Sequence, residues 1–137
     1  SDTSVAENGS DLTLTATLSL ATAEDVTVTL AGTGTSTAGT DYASLSTITI
    51  SAGSTTGTTT FNPTDDSVYE GSETAIIAIT GVSGGSASES GTQSKTITIT
   101  DNETAPTVTL STSASSVAEN GSDLTITATL SIQTILP

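Results

Sequence analysis

A chain of 137 residues holds 15 acids against the single Lys95, has no His and no Cys, and carries a formal net charge of −14. That balance argues against nucleic acid and anionic membranes as partners, which select a basic face, and it makes cations the natural partners. Triads built on His or Cys are excluded, as are disulfides, and no enzymatic activity is expected.

In chain order the pattern is that of strands with one face in a core and one in water. After a turn at Asn8-Gly9, Leu12, Leu14, Ala16, Leu18 and Leu20 alternate with Thr13, Thr15, Thr17 and Ser19. The same spacing of two returns in "DVTVTL" with Val26, Val28 and Leu30, and in "STITI" with Ile48 and Ile50. It continues with Thr59 and Phe61 in "GTTTF", with Ala75, Ile77 and Ile79 in "TAIIAI", and with Ile97 and Ile99 in "KTITIT". Gly32 to Gly34, Gly53, Gly57 and Gly84-Gly85 read as turns between them. With "TVTLST" at 107–112 the strands predict an all-β, immunoglobulin-like antiparallel sandwich of about seven strands, a fold that needs roughly 100 residues. The longest apolar run, "AIIAI" at 75–79, is far short of the roughly 20 residues of a membrane span, so no membrane insertion is expected.

Residues 4–19, "SVAENGSDLTLTATLS", return at 116–131 with the single change of Leu14 to Ile126. A period of this length means tandem domains, because solenoid repeats run at about 20–50 residues. The expected organisation is one repeat over 1–105 and the first strands of the next over 106–137. Before the second copy stands "PTVTLST", while only Ser1 to Thr3 precede the first. Either the first repeat takes its opening strand from a longer tandem array, or residues 106–137 of one copy complete a neighbouring subunit's sandwich by strand addition and build a filament.

Eight acids fall at predicted strand ends: Glu7, Asp41, Asp65, Asp66, Glu70, Glu73, Asp101 and Glu103. Antiparallel strands place the start of one beside the end of the next, so these ends can meet at one pole. Carboxylates crowded there repel by several kcal/mol, on the order expected for partly dehydrated charges, and a hard divalent cation removes the conflict. Calcium accepts six to eight oxygen ligands from irregular loops, whereas zinc, copper and iron lack their preferred His and Cys here and magnesium keeps several waters. Asp2, Asp11, Glu24, Asp25, Glu89 and Asp123 read instead as solvated surface, and Glu119 repeats Glu7.

These motifs carry a family resemblance. "SVAENG", "STAGTDY", "STITISAGSTTGTTTF", "TDDSVYEGSET" and "TITITDNE" follow the order of a Calx-beta domain, the calcium-binding sandwich of exchangers, integrins and large bacterial surface proteins. The resemblance implies calcium ligands at Glu7, Asp41, Asp65, Asp66, Glu70 and Glu73. Its closing acidic triplet falls on Asp101, Asn102 and Glu103, where Asn replaces an acid, which implies fewer ions or weaker binding. It further implies a calcium-stiffened module of an extracellular, bacterial cell-surface adhesin, whose linker "NETAPT" (102–107) is stiffened by Pro106. The partners expected are calcium ions and adjacent repeats or identical subunits. A carboxylate pair acting on sugars would need an aromatic platform, and the aromatic residues are only Tyr42, Phe61 and Tyr69. The Thr rows are the ordinary polar face of exposed strands.

Overall fold

Alternating Thr and β-branched or aliphatic residues favour extended backbone, and among the described residues they form nine strands and no helix. These are β1 (Thr3–Ala6), β2 (Leu12–Thr17), β3 (Val26–Gly34), β4 (Ile48–Ile50), β5 (Thr56–Phe61), β6 (Glu73–Ser83), β7 (Ser94–Thr100), β8 (Val108–Thr112) and β9 (Ile126–Leu130). The structure is a computed structural model that describes residues 3–132, so Asp2 and the end of the 106–137 segment lie outside it. By contacts the chain forms two compact units, Ser1–Asp66 with Gly71–Asn102, and Ser67–Glu70 with Glu103–Pro137.

The first unit is a β-sandwich. Its larger sheet runs β1-β7-β6-β3-β4 and its smaller sheet pairs β2 with β5. All pairs are antiparallel except β1 with β7, which is parallel. The inward residues read from the alternation meet in two adjoining clusters, one around Tyr42, Phe61, Ile77, Ile97 and Ile99, the other around Val26, Val28, Ile48 and Ile50. Tyr42 and Phe61 stack with ring centroids 4.8 Å apart and supply the largest fully buried side chains. Burying each such side chain contributes about 1.5–3 kcal/mol, so these two rings anchor the end of the core nearest the loop that carries Asp41.

Three differences from the sequence reading have physical causes. The strand β1 shows no alternation, since only Val5 of its four residues is buried, and it exists through its pairing with distant β7. Gly32, Gly34 and Gly57, read as turn residues, lie inside β3 and β5. A Cβ at Gly32 would run into the Tyr42 hydroxyl, and one at Gly57 into the Thr49 carbonyl, so here glycine marks close approach rather than a turn. Leu20, read as inward, lies beyond the end of β2 and is 77% exposed.

The second unit holds the hairpin of β8 and β9, paired antiparallel from Val108↔Leu130 to Thr112↔Ile126. Its connecting turn repeats the first copy's geometry: Gly121 N donates to Ala118 O at 2.8 Å, as Gly9 N does to Ala6 O at 2.8 Å.

Candidate cation site

Strand β7 organises the acidic end of the larger sheet, because it lies between β1 and β6. The parallel register sets Val5 beside Ile99 and Ala6 beside Thr100, and Glu7 N then donates to Thr100 O at 3.0 Å. On the other side, Glu73 opens β6 opposite Ile99. Glu7, Glu73 and Asp101 therefore reach the same end of one sheet from three different parts of the chain.

Asp41 is brought there by the loop between β3 and β4. As β3 ends, Thr35 N and Ser36 N donate to Thr74 O at 3.0 and 3.1 Å, and Ser36 Oγ adds a bond of 2.8 Å to the same carbonyl. The loop then closes on itself: Asp41 N donates to Thr37 O at 3.0 Å, and Thr37 N donates to Asp41 Oδ2 at 2.5 Å. Tyr42 bridges to Pro63, and Thr64 N donates to Asp41 O at 3.0 Å, which ties the loop to the segment after β5. The G-x-D-Y motif thus works as a unit, with the ring buried and the adjacent carboxylate held.

Glu7 and Asp41 are each only 6% exposed. A carboxylate oxygen of Glu7 lies within 4.8 Å of one of Asp101, and a carboxylate oxygen of Asp41 within 4.8 Å of one of Glu73. Asp101 Oδ2 accepts Gly71 N at 2.6 Å, where Gly71 takes a left-handed φ of 79°. Burial pushes the Tyr42 hydroxyl above its ordinary pKa, and the Asp41 charge beside it adds to the rise. Lys95, the chain's one basic residue, stands opposite Ile77 near the start of β7, whereas Asp101 follows that strand's end.

The other sequence-derived ligands are placed differently. Asp65, Asp66 and Asn102 are exposed, and Asn102 Nδ2 donates to Asp65 Oδ1 at 3.4 Å. Glu70 and Glu103 are half-buried and belong by contacts to the second unit, each one residue beyond the sandwich's limits at Gly71 and Asn102. Ser36, Thr37 and Gly71 shape the site without contributing a carboxylate, and acid spacing alone does not point to them. Three acids read as surface also hold loops: Asp25 Oδ1 accepts Ala52 N at 2.8 Å, Glu24 Oε2 accepts Gly85 N at 3.2 Å, and Glu89 Oε1 accepts Gln93 N at 2.6 Å.

Chemically, the site offers hard, anionic oxygens, half-buried to buried, with no nitrogen or sulfur ligand in the chain. Such a donor set fits a cation that takes several oxygens.

A family described as the LapA domain matches residues 1–104. Among solved structures, the chain is similar to the calcium binding domain CBD12 of CALX1.1, with a TM-score of 0.61 and 22% identity over 73% of this chain and 41% of that one. CBD12 from CALX1.2 gives 0.60 and 22% over the same shares. The apo-form Calx CBD1 domain gives 0.61 and 21% over 74% of this chain and 91% of that one. The chain thus spans 41% of the first two structures. At these identities the likeness establishes the β-sandwich fold. Among curated proteins no match is found. The motifs resemble Calx-beta and the fold is that of the Calx domains, while the matching family is the LapA domain.

Proposed function

We propose, since this chain belongs to the LapA domain family, that it is a calcium-binding structural repeat of an extracellular adhesin or matrix protein on a bacterial surface. The observation that carries this reading is the convergence of Glu7 with Asp101 and of Asp41 with Glu73, with Glu7 and Asp41 buried. Carboxylates within 4.8 Å of one another, one of each pair buried, repel, and a divalent oxygen-seeking ion offsets that repulsion. Asp65, Asp66 and Asn102 would act from the exposed rim, as ligands through water or as a screen.

The fold likeness to domains described as calcium-binding, and a family related to adhesins, support this reading. Calcium would act as part of the fold rather than as a reagent. It would bind the β3–β4 loop, the start of β6 and the end of β7, and so stiffen the domain at the point where the chain leaves toward 102–107 and the following repeat.

The test is a calorimetric calcium titration of the whole chain, paired with thermal melts in calcium and in EGTA. Heat of binding and a melting point raised by calcium are expected. A flat titration with identical melts would reduce the acidic end to a solvated surface.

A further inference from the structure

Of the asparagines in the chain, Asn62 precedes Pro63 and Asn102 precedes Glu103, whereas Asn8 and Asn120 each precede a glycine. An asparagine before glycine is chemically vulnerable, because a residue without Cβ lets its backbone nitrogen reach the neighbouring side-chain carbonyl carbon. Proline has no N–H and offers no such nucleophile. Asn8 is exposed to water and directly follows Glu7, a buried acid of the cation end.

Glycine at position 9 is a packing requirement. Gly9 takes no left-handed φ. A Cβ there would instead lie 2.7 Å from Ala6 O, nearer than such atoms approach, and 3.1 Å from Val5 Cγ2. Any other residue would crowd the turn, so the fold retains the Asn-Gly pair that makes Asn8 vulnerable. The same turn restrains the reaction. Gly9 N donates to Ala6 O at 2.8 Å, so the attacking nitrogen is engaged in a hydrogen bond. Behind it Ala6 pairs with Thr100, Glu7 N donates to Thr100 O at 3.0 Å, Thr100 Oγ1 donates to Val5 O at 3.3 Å, and Val5 is buried. The turn opens only when these contacts give way, and such openings are rarer than the motions of an unanchored loop.

We infer that Asn8 is a site of spontaneous deamidation, gated by the turn at 6–9. When the turn opens and Gly9 N loses its proton, that nitrogen attacks Cγ of Asn8. A new C–N bond closes a five-membered succinimide, and the side-chain nitrogen departs as ammonia. Water then adds to either ring carbonyl and breaks a ring C–N bond, leaving aspartate or isoaspartate. One water is consumed and one ammonia released, with nothing oxidised or reduced. The product adds a negative charge next in sequence to Glu7, a carboxylate oxygen of which lies within 4.8 Å of one of Asp101. Isoaspartate also lengthens the backbone by one carbon inside a turn too tight for a Cβ at Gly9. Deamidation thus marks, irreversibly, chains in which the end of β1 has come away from β7. Its effect on a bound ion rests on the proposed calcium site, whereas the gate does not.

The experiment incubates the full chain in mildly alkaline buffer with EGTA, with calcium, or in unfolding guanidinium. Each sample is then unfolded and cut by trypsin, which separates Asn8 from Asn120 because Lys95 is the only basic residue. Replacement of an amide NH2 by OH is followed by mass in fragment 1–95, and Asn8→Gln, whose longer side chain closes its ring far more slowly, gives the background. The acid form is expected to accumulate at least about tenfold more slowly in EGTA than in guanidinium, with the amide of Gly9 protected from hydrogen exchange by a similar factor, since both reactions need the same N–H freed. Calcium is expected to slow it further, and Asn8→Gln to abolish it. Val5→Ala, which thins the packing beneath the turn and leaves the Asn-Gly pair intact, is expected to bring the EGTA rate toward the unfolded one. Equal rates in EGTA and guanidinium, an unchanged rate in Asn8→Gln, or a Val5→Ala rate no faster than that of the unmodified chain would each overturn the inference. Equal rates in calcium and EGTA, both below the guanidinium rate, would uphold the gate and refute an ion at Glu7.

Discussion

Glu73→Gln separates a cation ligand from an ordinary half-buried acid, because the two roles predict opposite signs. A carboxylate oxygen of Glu73 lies within 4.8 Å of one of Asp41. At 4.8 Å two unit charges repel by about 3.5 kcal/mol at an effective dielectric of about 20 and by about 0.9 kcal/mol in bulk water. Glu73 is half-buried, so the repulsion lies between those limits. In EGTA, E73Q removes it, and a gain of about 1 kcal/mol or more raises the melting point by roughly 4–8 °C for a domain of this size. In saturating calcium the same substitution deletes an anionic ligand. Each tenfold loss of affinity removes about 1.4 kcal/mol of the linkage stabilisation. The calcium-induced rise in melting point should therefore shrink by roughly 6–11 °C per tenfold. The assay is a pair of melts for wild type and variant, with and without calcium, and the expected order of stabilities reverses between the two conditions. If E73Q lowers the melting point equally in calcium and EGTA, Glu73 is a structural acceptor and the repulsion argument fails.

Further outcomes follow from the same contacts. Asp65→Asn, at an exposed residue, should move the calcium midpoint less than E73Q does, measured in parallel titrations. Gly32→Ala should destabilise by about 1–3 kcal/mol from overpacking against the Tyr42 hydroxyl, less a few tenths regained from the stiffer unfolded chain, and the pairing with Tyr42→Phe should restore much of it in a urea double-mutant cycle. Because the Tyr42 hydroxyl is held above its ordinary pKa by burial and by Asp41, the folded state keeps that proton more tightly than the unfolded chain. Its contribution is complete below about pH 10 and is lost as pH rises through the folded value, so urea stability in EGTA should fall above about pH 10 and fall less steeply in Tyr42→Phe. Asp101→Ala should loosen the segment before β6 by freeing Gly71 N, costing about 1–3 kcal/mol and raising amide exchange at Gly71.

Much of this molecule is legible in the primary structure because a period of two is a local property. Alternation places Val26, Val28, Ile48, Ile50, Ile97 and Ile99 in the core before any partner is known, and the order of acids at strand ends announces a charged pole. The return of residues 4–19 at 116–131 is plain from the letters alone. Other features are not local. The strand β1 has no pattern of its own and is made by its parallel register with β7, in which Thr100 Oγ1 reaches Val5 O 95 residues away. Gly32 and Gly34 have the look of a turn, and only the packing of Tyr42 and Thr74 against them shows that they are strand. The pairing of Glu7 with Asp101 and of Asp41 with Glu73 depends on which strands are neighbours and on their register, to which spacing along the chain is blind. Composition and period thus determined an acidic all-β sandwich suited to cations. Long-range register decided which carboxylates meet, because those contacts join residues whose separation in sequence carries no repeating signal.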